Sequence, residues 1–148
     1  MNVNHKLVII PTYNERENIE AMIRRVLLLN SSFHMLIIDD GSPDGTSLIV
    51  KRLQEEYIDR LNLIERKGKL GLGTAYIEGF KWALNKGFRY VFEMDADFSH
   101  NPSDLPRLIK ATQENDLVIG SRKVNLGKII GWNWRRHFCS NGAMFFPV

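Results

Sequence analysis

Two hydrophobic periods alternate along this chain. Short, nearly continuous apolar runs predict buried strands over residues 6–10, 34–38, 61–65, 90–94 and 117–120. Between them, apolar residues recur at helical spacing and predict helices over 15–29, 46–57, 73–85 and 102–114. In the first helix Ile19, Met22, Ile23, Val26 and Leu27 share one face, with Asn14 placed as its N-cap and Glu15 and Glu17 in its first turn. Strands that alternate with helices of this length imply βαβ units. The fold class is therefore α/β, a mainly parallel sheet with helices on both faces. Ligands of such sheets lie outside the carboxyl ends of the strands.

Three strands end in residues of ligand-binding type. Thr12-Tyr13-Asn14-Glu15 follows the first, Asp39-Asp40 the second and Asp95-Ala96-Asp97 the fourth. Two carboxylates one residue apart repel unless a cation lies between them, and a hard divalent ion takes oxygen ligands and commonly substrate phosphates too. Asp95-Ala96-Asp97 in isolation reads first as a solvated turn, but its place after a buried strand, with another acidic pair at a parallel strand end, favours metal. An EF-hand is excluded by the missing glycine and terminal Glu of that loop. Asp39-Asp40-Gly41-Ser42 reads either as a tight turn or as an acceptor for a base or ribose. Gly71-Leu72-Gly73 opens a helix near Arg66, Lys67 and Lys69, which favours an anion there, yet it is neither a Walker A loop nor a full dinucleotide fingerprint. Arg122, after Gly120-Ser121, suits a phosphate in bidentate fashion or an exposed position. Cys139, His5, His34, His100 and His137 have no triad or zinc-ligand context.

Bulk properties narrow the class. With 148 residues, 44% hydrophobic and 25% charged, the chain has the size and composition of an ordinary globular domain. A single cysteine excludes an internal disulfide and favours a reducing compartment. Neither a signal h-region nor a run long enough to span a membrane is present. The net charge of +3 is unevenly spread. No Asp or Glu follows Asp116, whereas Arg122, Lys123, Lys128, Arg135 and Arg136 do, interleaved with Trp132, Trp134 and Phe138. Residues 1–121 thus read as the core and 122–148 as a basic aromatic tail. The tail suits an anionic membrane surface or packing as an ordinary helix. No nucleic-acid module accompanies it.

Five motifs in order carry a family likeness: Pro11-Thr12-Tyr13-Asn14-Glu15-Arg16-Glu17-Asn18, Asp39-Asp40-Gly41-Ser42-Pro43-Asp44-Gly45-Thr46, Gly71-Leu72-Gly73-Thr74-Ala75-Tyr76, Met94-Asp95-Ala96-Asp97-Phe98-Ser99-His100 and Gly120-Ser121-Arg122. Together they resemble family 2 glycosyltransferases of the dolichyl-phosphate (polyprenyl-phosphate) mannose synthase type. The resemblance implies a GT-A fold, GDP-mannose as donor, a dolichyl or polyprenyl phosphate as acceptor, and Mg²⁺ or Mn²⁺. It implies that Pro11, Tyr13, Glu15, Ile38 and Asp40 surround the guanosine and that Asp95 and Asp97 hold the metal and diphosphate. Ala96 would line the same site, and Arg122 would contact donor phosphate or acceptor, with Asp97 and Arg122 the catalytic pair. Some relatives place a metal-contacting Gln where this chain has Ser99. Relatives of this type also continue past Val148, so the chain is expected to be truncated. The resemblance places it in the cytoplasm or on the cytoplasmic face of a membrane. Two alternatives stay open: a non-catalytic nucleotide-binding fragment, and a UDP-sugar-dependent transferase of the same fold.

Overall fold

The structure is a computed structural model that describes residues 6–29 and 33–121. Four strands form one sheet: β1 (Lys6–Thr12), β2 (Phe33–Asp39), β3 (Leu61–Glu65) and β4 (Tyr90–Glu93). Every pairing is parallel and the spatial order is β3-β2-β1-β4. The helices are α1 (Ile19–Leu29), α2 (Thr46–Glu56), α3 (Leu72–Lys86) and α4 (Leu105–Ala111), the last preceded by a 3₁₀ turn over Pro102–Asp104.

The two central strands are apolar on both faces because both faces are covered. Val8, Ile10, Met35 and Ile37 pack with the inner stripes of α1 and α2. Leu7, Ile9, Leu36 and Ile38 pack with Ala75 and Ala83 of α3. Small residues bring α3 close to the sheet. A Cβ at Gly79 would lie 2.9 Å from both Cδ1 and Cγ2 of Ile9, which leaves no room for a side chain.

Chain direction places the binding edge. From β1 the chain moves to β2 and β3 on one side, then crosses by α3 to β4 on the other side. The strand order therefore reverses between β1 and β4, where open α/β sheets form their crevice. Pro11 widens it. The β1–β4 ladder reaches the bond from Met94 N–H to Ile9 C=O (3.1 Å). Continued, it would need an N–H at residue 11 to donate to the Met94 carbonyl, and proline has none. The Tyr76 hydroxyl instead lies 3.4 Å from that carbonyl as its donor.

Two expected elements differ. The first helix begins at Ile19, not residue 15, and Asn14 is not its N-cap. Asn14 has φ +61°, and the Glu15 carbonyl accepts from Asn18 and Ile19 N–H at 3.0 and 2.9 Å. The left-handed backbone at Asn14 and the short-range bond from Asn18 N–H to the Glu15 carbonyl make this stretch a turn, pinned by side chains after β2, and the regular helix starts only beyond it. Residues 117–120 are not a strand. Leu117 and Ile119 are exposed, and no ladder satisfies the backbone there. The chain divides into two compact units, Met1–Ala111 and Thr112–Val148. The structure describes the second only as far as Ser121.

Candidate active site at the strand ends

The ends of β1 and β2 are joined by side chains that grip backbone. Ser42 Oγ accepts from Asn14 N–H (2.9 Å), Thr46 Oγ1 from Glu15 N–H (3.1 Å) and Asp44 Oδ2 from Arg16 N–H (3.0 Å). Burial alone would raise the Asp44 carboxyl. The Thr46 hydroxyl and N–H and the Arg16 N–H outweigh it and hold the group below its usual value.

Strand alternation sends the two neighbouring aspartates to opposite faces. Asp39 points with Met35 and Ile37 towards α1 and α2, and accepts from the Thr12 hydroxyl (2.8 Å), Ser42 N–H (2.9 Å) and the Ser42 hydroxyl (2.6 Å). Asp40 points with Ile38 towards α3. Its Oδ1 accepts from Arg66 Nε (2.6 Å) and its Oδ2 from Leu70 N–H (3.0 Å). The Asp40–Arg66 pair is almost wholly buried, at 8% and 5% side-chain exposure. Arg66 also donates to the Thr74 hydroxyl (2.8 Å) and Gly71 carbonyl (3.2 Å). The guanidinium expected to add positive charge for an anion is thus committed to fixing the β3–α3 loop. Gly41 permits the loop's approach: its φ is +70°, and a Cβ there would meet the Arg66 carbonyl at 3.3 Å.

Tyr13 is partly exposed at the β1 end, with Lys69 Nζ 4.5 Å from its ring centroid. Glu15 is half-buried and accepts from Asn18 Nδ2 (3.0 Å). Ile38 is fully buried beneath α3 and exposes no surface at the strand ends. Pro11 is half-buried beside it, paired in register with Ile38.

The acidic pair follows β4, with Asp95 level with Pro11 by extension of the register. Asp95 is half-buried and Asp97 exposed, while Ala96 between them is buried in the core on the α1/α2 side. Ser99 N–H donates to Asp97 Oδ1 (2.9 Å), and the Ser99 hydroxyl lies 3.5 Å from Asp95 Oδ2. The Ser99 N–H is the largest cause holding the Asp97 carboxyl below its usual value, so it is ionised at neutral pH. Tyr76 stands on the opposite wall; burial first, then the charges of Asp95 and Glu93, push its hydroxyl well above its ordinary pKa, so it stays a proton donor.

β1 alone separates the ends of β2 and β4. Asp40 and Asp95 therefore stand two strand spacings apart across it and two residues apart along it, about 12 Å, and alternation turns both towards α3. Asp95 and Asp97 supply the oxygen donors a hard cation prefers. Among the described residues no group of three or more His, Cys, Asp or Glu side chains could enclose a metal. A cation held here needs further oxygens from substrate or water. Arg122 lies outside the described residues.

Residues 7–147 match the family described as glycosyl transferase family 2. The chain belongs to glycosyl transferase family 2. It is 47% identical over 138 residues to a polyprenol monophosphomannose synthase of Mycolicibacterium smegmatis, covering 93% of this chain and 52% of the relative. It is 42% identical over 142 residues to an undecaprenyl-phosphate mannosyltransferase of Micrococcus luteus, covering 95% and 58%. The chain thus spans just over half the length of these two family 2 relatives. It also shares the fold of glucosyl-3-phosphoglycerate synthase from Mycobacterium tuberculosis, solved with Mn²⁺, UDP and glucosyl-3-phosphoglycerate. That likeness has a TM-score of 0.54 at 20% identity, over 76% of this chain and 41% of the other. The GT-A class of this family 2 chain agrees with the sheet described above.

Proposed function

We propose that this chain carries the donor site of an inverting transferase that moves mannose from GDP-mannose to a polyprenyl phosphate, of the dolichyl or undecaprenyl kind. The observation that carries the reading is the pair of acidic strand ends, after β2 and β4, that flank β1 at the point of strand-order reversal. Two relatives above 40% identity bear mannosyl-transfer names with lipid-phosphate substrates. On this reading Tyr13 and Glu15 meet the nucleoside beside Pro11, with Asp40, held by Arg66 and Leu70 N–H, and buried Ile38 supporting that wall from behind, and Asp95 and Asp97, with Ala96 behind them, face the diphosphate.

A phosphate oxygen of the lipid forms a bond to the anomeric carbon as the bond from that carbon to the diphosphate breaks, and GDP leaves with the electron pair. A phosphate monoester has a second pKa of about 6. The acceptor is therefore largely ionised at neutral pH and requires no strong base. Mg²⁺ or Mn²⁺, held by Asp95 and Asp97, would neutralise charge on the departing diphosphate. Ser99 N–H orients the Asp97 carboxylate for that task, and the Tyr76 hydroxyl lines the wall beside Asp95. Arg122 is assigned to donor phosphate or acceptor by resemblance.

We place the protein at the cytoplasmic face of a membrane as a peripheral partner. The cations and tryptophans of residues 122–148 suit anionic headgroups. Among the described residues no helix is long and apolar enough to cross a bilayer.

The test is transfer of labelled mannose from GDP-mannose to a polyprenyl phosphate. Asp97→Ala is expected to lower the rate about a hundredfold or more, through lost stabilisation of the leaving group. Wild-type turnover with an equally active variant contradicts the role of Asp97. Competition by UDP stronger than by GDP would reassign the donor.

A further inference from the structure

Phe98 sits in the middle of the acidic turn with φ +61°. A bulky side chain rarely adopts that left-handed region. Such outliers persist where surrounding structure enforces them, and they gather at functional sites. No glycine relieves the position, and the ring explains why. Phe98 packs against the core shared by α1 and α2. The Arg25 guanidinium of α1 lies 4.8 Å from its ring centroid, within cation–π reach.

The hydrogen bonds recorded for the turn are local. Asp97 and Ser99, the two neighbours of Phe98, bond to each other (2.9 Å), and Asp95 N–H donates to His100 Nδ1 (3.2 Å). These bonds fix the shape of the turn but do not tie it to the sheet or helices. Buried Ala96 and the Phe98 ring do so, the ring with α1 as the wall it leans on.

We propose that Phe98, clasped by Arg25, is a positioning residue that aims Asp95 and Asp97 into the crevice. The ring is turned into the core on the α1/α2 side. A left-handed residue between Asp97 and Ser99 lets the chain turn so that Asp97 stays exposed while its neighbour is anchored. This inference rests on the proposed metal–diphosphate role of the two aspartates, and it adds that α1 holds them in place through a contact outside the site.

Affinity for GDP, measured by calorimetry with and without Mn²⁺ on the full chain, tests it. Phe98→Gly allows the same backbone but removes the anchor. It is expected to weaken Mn²⁺-dependent GDP binding about tenfold, as loss of a ligand-orienting group does, while metal-free GDP binding is unchanged. Phe98→Tyr should keep both affinities. Arg25→Ala, at an exposed helix position, should fold normally and weaken only the Mn²⁺-dependent binding, by a smaller factor. If Phe98→Gly does not fold, Arg25→Ala decides. Wild-type Mn²⁺-dependent binding in the variants overturns the inference, as does an equal loss with and without Mn²⁺, which marks a purely structural role. A wild-type chain that gains nothing from Mn²⁺ overturns the proposed function and this inference with it.

Discussion

At the β1–β2 end of the crevice, side chains reach backbone groups 28 to 31 residues away: Ser42 to Asn14, Asp44 to Arg16, Thr46 to Glu15. At the β4 end, the hydrogen bonds between residues 95 and 100 close within five residues. The first region cannot open without breaking contacts that also hold β1, β2 and α2 together. The second can change shape with little consequence for the sheet. Regions braced only locally open at lower free-energy cost than those tied to the global fold. The β1–β2 end is thus built as part of the core, and the acidic end as a turn hung from β4 and steadied by Ala96 and the Phe98 ring.

The sharpest way to break this contrast is at the buried pair. Arg66→Ala leaves Asp40 charged, buried and without its partner, and is expected to destabilise the chain by about 3–5 kcal/mol. Urea denaturation at pH 7 measures it. A loss no larger than that of a surface substitution would mean that the β1–β3 end is not braced as described.

Acid comes next in expected effect. The folded-state values of Asp44 and Asp97 both lie below their ordinary ones. Each group therefore adds stability above the unfolded carboxylate pKa of about 4, and loses it as pH falls through the lower folded value. The urea midpoint should hold down to that region and then fall. Asp44→Asn, which removes a charged brace between distant segments, should flatten the fall more than Asp97→Asn, because Asp97 is exposed and locally bonded. The reverse order would place the stronger bracing at the β4 end.

The smallest expected effect sharpens the contrast from the other side. Ser99→Ala removes the hydroxyl from the exposed turn but keeps the N–H bond to Asp97, and should change stability by no more than about 0.5 kcal/mol. Its hydroxyl lies against Asp95, so Mn²⁺-dependent GDP binding should still weaken. A large stability loss would show that the turn belongs to the cooperative core after all.

How much of this was legible in the chain follows from the range of the forces involved. β1 and β2 were readable because strands buried on both faces must be continuously apolar, as Leu7–Ile10 and Met35–Ile38 are. Asp95-Ala96-Asp97 was readable because carboxylates cannot stay inside such a sheet unpaired. The start of α1 was not, because Ser42, Asp44 and Thr46, distant in sequence, pin residues 14–16 into a turn with Asn14 in the left-handed region. Arg66 was noticed only as a nearby charge. Its signal was available: it stands one position beyond β3, as Asp40 stands one beyond β2, so parallel register with alternation puts both on the α3 face. Residues 117–120 carried a strand's composition without a strand's pairing. Phe98 left no mark, since phenylalanine gives no hint of a positive φ.

The most direct measurement is paramagnetic broadening of amide signals by Mn²⁺ in the presence of GDP. Broadening is expected to centre on residues 95–99 and to extend across β1 to Thr12, Tyr13 and Asp40. Broadening centred on the outer carboxylates Glu20 and Glu56 of α1 and α2, with residues 95–99 untouched, would contradict a shared nucleotide and metal crevice at the strand ends.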